Sequence, residues 1–171
     1  MLTHDELKSI FSYDPFAGHF LWKHRNDVPA WWNTKYAGKR AGSLDAYGYV
    51  VLRINARTFK AHRIAWFYVI GEMPKTDVEI DHINGNRLDN SIANLRLAND
   101  LQNAANSGVR RDNISGVKGV SWHRRAGKWQ AQINECGRRT SLGYFDKISD
   151  AAIAYQERAK IVHGEFARVV K

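Results

Sequence analysis

Asp81 and His82 stand side by side in Glu79-Ile80-Asp81-His82-Ile83-Asn84-Gly85-Asn86-Arg87-Leu88-Asp89-Asn90, and Asn94-Leu95-Arg96 and Asn103 follow. A carboxylate and an amide carbonyl are oxygen donors suited to a hard divalent cation. A neutral imidazole takes up a proton near neutral pH. Together they match the needs of phosphodiester hydrolysis: a cation to polarise a phosphate oxygen, a base for the attacking water, and a route for the leaving 3′-oxygen. In an extended segment neighbouring side chains point to opposite sides, so Asp81 can face a metal while His82 faces the water. Asn84-Gly85-Asn86 has the chemistry of a turn that needs a positive φ. Asn90 and Asn94 can tie the loop together through side-chain-to-backbone hydrogen bonds. Asn103 falls on the next helix, from which it can reach back to the metal, and Asn106, one turn later on the same face, competes for that role. His62 and Arg63 stand upstream as either phosphate contacts or ordinary helix residues. An isolated Asp-His pair is more often a satisfied pair in a polar loop. Its weight here comes from the glycine and asparagines at fixed distances.

This stretch resembles the HNH endonuclease family, and within it the phage and homing-type branch. The resemblance rests on Asp81-His82-Ile83-Asn84-Gly85-Asn86, Asp89-Asn90 and Asn94-Leu95-Arg96, with Ala61-His62-Arg63-Ile64-Ala65-Trp66 as the lead-in. It implies a β-hairpin-plus-helix core gripping one metal ion, with Asp81 a metal ligand and His82 the general base. It further implies Asn94 as the structural middle residue and Asn103 as the second ligand, an Asn where other members have His. The implied cofactor is a divalent ion, Mg²⁺ first, with Mn²⁺ or Zn²⁺ as alternatives.

The elements that must position these residues follow from local pattern. Thr3 and Glu6 form a capping-box pair for a short helix over Asp5 to Phe11, and Asp14-Pro15-Phe16-Ala17-Gly18 is a turn into a strand at His19-Phe20-Leu21-Trp22. Trp31-Trp32 reads as core in preference to a base-stacking surface. Tyr49 to Ile54 is β-rich, Asn55-Ala56-Arg57 is a turn and Thr58 to Ala61 a return strand. His62 to Ile70 is helical by its apolar period, ended by Gly71 and Pro74. A further short helix runs from about Asn99 to Ser107.

Beyond a basic linker at 108–115 lies a unit of three short strands and one amphipathic helix. Trp129, Ala131 and Ile133 alternate onto one sheet face, and Ala151, Ala152, Tyr155, Ala159 and Val162 form the apolar stripe of a helix from about Asp150 to His163, capped by Ser149 and closed by Gly164. Gly119-Val120, Gly127-Lys128-Trp129, Leu142-Gly143-Tyr144-Phe145, Ala151-Ala152-x-Ala154-Tyr155 and His163-Gly164-Glu165 give it a resemblance to the Apetala/ethylene-response-factor DNA-binding domain. That likeness implies a sheet laid on duplex DNA. The candidate DNA contacts are Lys118, His123, Arg124, Arg125, Lys128, Arg138 and Arg139, expected as a group on one sheet face. Ser121, His123, Gln132 and Ser141 replace the Arg and Trp of the plant domains, so base preference does not carry over.

The expected fold class is α+β: a ββα-metal nuclease core plus a small three-stranded antiparallel sheet packed on one helix. The expected domains are an N-terminal α/β element at 1–47 buttressing the nuclease, the nuclease at 48–107, the linker at 108–115 and the DNA-binding domain at 116–171. With 26 Lys and Arg against 17 Asp and Glu the net charge is +9, which suits a polyanionic partner through counterion release. The expected partner is double-stranded DNA, and no membrane. Cys136 alone excludes an internal disulfide and a multi-cysteine zinc site, and the N-terminal residues show no signal-peptide pattern. The expected setting is the cytoplasm of a phage-infected or prophage-carrying bacterium. The oligomeric state is open, with a monomer as the working expectation. The rival readings are a DNA-binding regulator with a vestigial nuclease core, and an RNA-binding protein.

Overall fold

The computed structural model describes residues 2–75 and 77–168. The chain divides into two compact units, Met1–Leu97 and Ala98–Lys171, and each is α+β in composition.

In the first unit, α1 (His4–Ile10) begins at Thr3, whose hydroxyl accepts the Glu6 N–H while the Glu6 carboxylate accepts the Thr3 N–H. This is the capping box expected from the sequence, with α1 one residue shorter at its end because Phe11 enters a strand. β1 (Phe11–Asp14) and β2 (His19–Trp22) pair antiparallel. A helix that local pattern did not suggest follows, α2 (Ala30–Tyr36). On it Trp31 is 63% exposed, whereas Trp32 is half-buried and packs edge-on against Trp22, so neither tryptophan is in the buried core that the sequence suggested.

β3 (Ser43–Leu44), β4 (Val50–Ile54) and β5 (Arg57–Lys60) form an antiparallel sheet. Asn55 and Ala56 link β4 to β5 with φ of 48° and 63°, the pair of left-handed residues that a two-residue hairpin of the right twist demands. α3 (Ala61–Ile70) ends at Gly71, whose φ of 85° supplies the left-handed cap. It turns Ala61, His62, Ile64 and Ala65 inward. β6 (Glu79–His82) and β7 (Leu95–Ala98) pair with each other and close the unit's loop at 83–94. Leu7, Phe11, Phe20, Leu52 and Ile64 are the centre of one core shared by α1, the β1–β2 hairpin, β4 and α3, each burying roughly 1.5–3 kcal/mol of transfer free energy.

The β1–β2 hairpin also braces the loop after β6. Tyr13 donates its hydroxyl to the Asn90 carbonyl at 2.6 Å, and the Ile92 N–H donates to the Pro15 carbonyl at 3.0 Å. Gly18, at φ 68°, lies so close to Asn90 and Ser91 that a Cβ there would stand 2.3 Å from the Ser91 nitrogen.

In the second unit, α4 (Asp100–Asn106) starts at an Asn99–Gln102 capping box. β8 (Val120–His123), β9 (Lys128–Glu135) and β10 (Arg138–Phe145) form an antiparallel sheet in the order β10-β9-β8. α5 (Ile148–His163) covers one face of it, with Ala151, Tyr155 and Ala159 against Val120, Ala131 and Ile133. Gly119 is required there, because a Cβ would come within 2.1 Å of the Tyr155 ring. α5 begins after Lys147, so Ser149 is inside the first turn and bonds Asp150 instead of capping. The stretch 108–115 is tied down, with the Asn113 amide on the Val117 carbonyl and the Ser115 hydroxyl on the Val120 carbonyl. α4 groups with the second unit because Ala98 and Ala105 pack on Phe166.

We predict that Gly18→Ala lowers stability by about 2–4 kcal/mol, from left-handed strain plus collision with backbone. Urea unfolding measures this, and a change below 0.5 kcal/mol would show that the hairpin and loop part without cost.

Candidate nuclease site

β6 delivers Asp81 and His82 to different partners, as alternation along a strand requires. Both are buried, at 7% and 5% exposure. Asp81 faces β7, where Arg96 donates from Nε and Nη2 to its Oδ2 at 3.1 and 3.0 Å. Two buried charges in a low-dielectric setting hold only as a well-made pair, so this contact orients the carboxylate.

His82 faces a polar and aromatic wall. Its Nε2 lies 3.2 Å from Asn90 Oδ1, and Asn90 Nδ2 donates to the Leu88 carbonyl at 3.2 Å. With the Asn90 amide nitrogen already aimed at a carbonyl, its oxygen is the acceptor, so neutral His82 carries its proton on Nε2. The basic lone pair is then on Nδ1. His62, from α3, packs edge-on against His82 at 4.9 Å between ring centroids, and Tyr49 lies 5.3 Å from His62 and 6.2 Å from His82. Burial pushes the His82 imidazole below its ordinary range, and Arg87 acts in the same direction against the Asn90 bond, Asp81 and Asp89. Burial, then the nearby His82, Lys60 and Arg63, depress His62 further, to about 3. His62 is thus a neutral core histidine. Arg63 beside it is half-buried.

The loop between the strands is a set of Asx hydrogen bonds. Gly85 takes φ 67°, and the Asn86 N–H donates to Asn84 Oδ1 at 2.7 Å. Asn94 accepts the Asn84 N–H on its side-chain oxygen and donates from its amide to Asn84 Oδ1 and the Asp89 carbonyl. Asp89 accepts from Ser91 and Asn84, and the Ser91 hydroxyl, first among these donors, draws its carboxyl below the usual range. Asn90 and Asn94 are therefore the internal fasteners of the loop.

Asn103 and Asn106 lie on α4 in the second unit. Asn103 is half-buried, while Asn106 is buried and accepts from Arg168 on its carbonyl. Among the described residues no group of three or more His, Cys, Asp or Glu gathers in a way that holds a metal. One carboxylate with amide oxygens still fits a hard divalent ion of the Mg²⁺ kind, which keeps several waters and shares its shell with substrate phosphate.

The second unit sorts its basic residues by register. Opposite α5, the free sheet face carries Ser121, His123, Lys128, Gln130, Gln132 and Tyr144, and Arg139 joins it through Asn134. His123 packs on Tyr144, and Lys128 reaches Asp146 at 3.2 Å. Arg124 and Arg125 are exposed in the turn between β8 and β9. Two expectations change. Arg138 registers with Glu135, whose carboxylate binds Arg158 of α5, so Arg138 is on the helix side of the sheet. Lys118 is not a sheet-face cation: its ammonium donates to the Ala104, Ala105 and Ser107 carbonyls at the end of α4, and burial, with Arg168 nearby, lowers its pKa to about 8. A cation there satisfies orphan carbonyls and complements the helix dipole.

A family model described as HNH endonuclease matches residues 59–105, which span β5 to α4 and contain the whole constellation. Protein 3.8 of Escherichia phage T7 is 34% identical over 109 residues, covering 64% of this chain and 88% of that protein. A protein of Acanthamoeba polyphaga mimivirus named as an uncharacterized HNH endonuclease is 32% identical over 107 residues, covering 62% of this chain and 54% of the relative.

The chain belongs to the HNH endonuclease family.

It is a DNA endonuclease of the α+β class, and HNH nucleases generally use a divalent metal ion. The APETALA2-like protein 2 of Oryza sativa subsp. indica is 41% identical over 49 residues, 29% of this chain and 11% of that protein. No solved structure matches. No helix among the described residues is long and apolar enough to cross a membrane.

Three contributors to this HNH site were not given a role by sequence reasoning. Arg96 stands inside the quoted Asn-Leu-Arg triplet without a function, Tyr49 is one aromatic in a β-rich run, and Tyr13 is 77 residues from the carbonyl it binds. Only the first carried a local signal.

We predict that Lys118→Met costs about 1–3 kcal/mol through stranded carbonyls, read by thermal unfolding. Wild-type stability with weakened DNA binding would instead return Lys118 to the DNA contacts.

Proposed function

We propose that this HNH endonuclease is metal-dependent and homing-like, cutting or nicking double-stranded DNA that its C-terminal sheet engages. The observation that carries the reading is the Asn90–His82 hydrogen bond, which sets Nδ1 of a buried, neutral imidazole as the base. His82 takes a proton from water as the water oxygen bonds to phosphorus and the P–O3′ bond breaks. Asp81 and Asn103 are the residues that would hold the divalent ion, Mg²⁺ in the first instance. Such an ion, when bound, supplies charge neutralisation for the phosphate oxygens. Asn103 is preferred to Asn106 because its side chain retains solvent access, whereas Asn106 is buried within its own unit. Arg96 holds Asp81 in place and balances its charge. His123, Lys128 and Arg139 on the free sheet face, with Arg124 and Arg125 at its edge, are the proposed DNA contacts of the second unit; the partial plant-domain likeness and the net charge of +9 support this. The phage relative supports action in an infected bacterial cell.

The test is cleavage of plasmid DNA with Mg²⁺ or EDTA. Wild-type protein cuts only with metal, while His82→Ala loses at least about 10²-fold in rate and still binds duplex DNA. Cleavage by His82→Ala at the wild-type rate would remove the base assignment, and binding without any metal-dependent cleavage would favour the regulator reading.

A second test reads metal binding without activity. Arg96→Met takes the Arg96 donors away from a buried carboxylate and costs about 3 kcal/mol in EDTA. Mg²⁺ or Mn²⁺ then recovers part of that loss in a thermal melt, more than it stabilises the wild type. An equal metal effect on both proteins would count against Asp81 as a ligand.

A further inference from the structure

Tyr49 covers the two buried imidazoles from one side, and two cations cover Tyr49. Lys60 Nζ lies 4.3 Å from the Tyr49 ring centroid and the Arg87 guanidinium carbon 4.6 Å. The two positive groups are therefore no farther apart than the sum of those distances. Both side chains are exposed, while Tyr49 is half-buried. Neither cation has a carboxylate partner among the described residues. Arg87 is held in place by a 2.7 Å bond from Nη1 to the Tyr47 carbonyl.

Two exposed like charges near one ring repel only weakly in screened water, and each gains roughly 0.5–1 kcal/mol from the ring quadrupole. The ring therefore gathers both cations with their charge open to an anion. Arg87 is on the loop after β6 and Lys60 ends β5, immediately before α3. Chain segments from the two sides of His82 thus bring their charges to the same ring. That ring stands 6.2 Å from the His82 ring.

We propose that Lys60 and Arg87, gathered on Tyr49, form a phosphate clamp that grips the sugar-phosphate backbone of the DNA strand beside His82. The inference rests on the nuclease reading for its location, but its chemistry is a sequence-independent contact to two phosphates. Arg87 offers a fork of donors to phosphate oxygens and Lys60 a point charge. Tyr49 positions both. The basic residues of the sheet in the second unit hold DNA in addition and are not replaced by this clamp.

The experiment measures binding of full-length protein to a fluorescent duplex in EDTA, over a series of salt concentrations. Each phosphate contact contributes about 0.9 to the slope of log Kobs against log salt. The double variant Lys60→Gln/Arg87→Gln should lower that slope by about 1.8 and weaken binding roughly eightfold per contact in 0.1 M salt. Lys60→Arg/Arg87→Lys, which keeps both charges, should hold the wild-type slope. Tyr49→Leu should lower the slope by a smaller amount, because it frees the cations without removing them. An unchanged slope in the Gln double variant overturns the clamp, and so does weaker binding at constant slope, the mark of damage elsewhere. Both cations are exposed, so the variants keep the fold, and a thermal melt checks it. Wild-type protein that binds but does not cleave with Mg²⁺ would sink the nuclease reading alone, since the slope still decides the clamp.

Discussion

Asn90 is a polar side chain with 1% exposure in the middle of the site, and the arrangement of the first unit depends on its amide and carbonyl being satisfied. A buried amide left without partners costs about as much as a lost hydrogen bond. Here Oδ1 accepts from His82, Nδ2 donates to the Leu88 carbonyl, and the Asn90 carbonyl accepts from Tyr13. One residue therefore joins the candidate base, the loop that carries it and the N-terminal hairpin. The tautomer of His82 follows from that bonding, and so does the direction in which its basic nitrogen acts. Gly18 lets the hairpin approach closely enough for the Tyr13 bond to form.

Around this node the charges are arranged by burial. Asp81 is oriented by Arg96 in a setting where neither charge is well hydrated. His62 is kept neutral, so it gives His82 an apolar edge and no competing positive charge. Lys60 and Arg87 are exposed, over Tyr49. The buried imidazole that must accept a proton and the exposed cations suited to hold a polyanion thus border the same aromatic ring. The same economy governs the second unit, where Lys118 closes a helix end and Arg158 pairs with Glu135, while His123, Lys128 and Arg139 keep to the free sheet face and Arg124 and Arg125 to its turn. Equal formal charge does not mean equal role: burial and nearby carbonyls decide which lysine is structural.

The repeating patterns of the chain were legible without coordinates. Thr3-x-x-Glu6 announced α1, Asn55-Ala56-Arg57 a turn between two strands, Gly71 a helix stop, and the period of Ala151, Tyr155 and Ala159 a helix on a sheet. These are short-range signals, set by capping, φ preference and side-chain periodicity, so nearby residues suffice to read them. α2 escaped because Pro29 precedes it with no side-chain cap and its aromatic run buries no residue fully. The division into units fell elsewhere than the basic stretch at 108–115 because Ala98, Ala105 and Phe166, distant in sequence, share one small cluster.

By itself the sequence determined which residues have the chemistry for the site, Asp81 and His82 above all, and that the chain belongs among HNH endonucleases, since residue types and spacing are local properties. Tertiary structure decided what each does. It showed that Asp81 is paired with Arg96, that His82 is oriented by Asn90 and wedged against His62, and that Lys118 caps α4 while Arg138 lies on the helix side of its sheet. It also gathered Tyr49, Lys60 and Arg87, drawn from three segments whose sequences carry no shared mark. The reason is physical. A side chain's identity sets what it can donate, accept or carry, but its protonation, partners and exposure depend on which distant groups the fold places beside it.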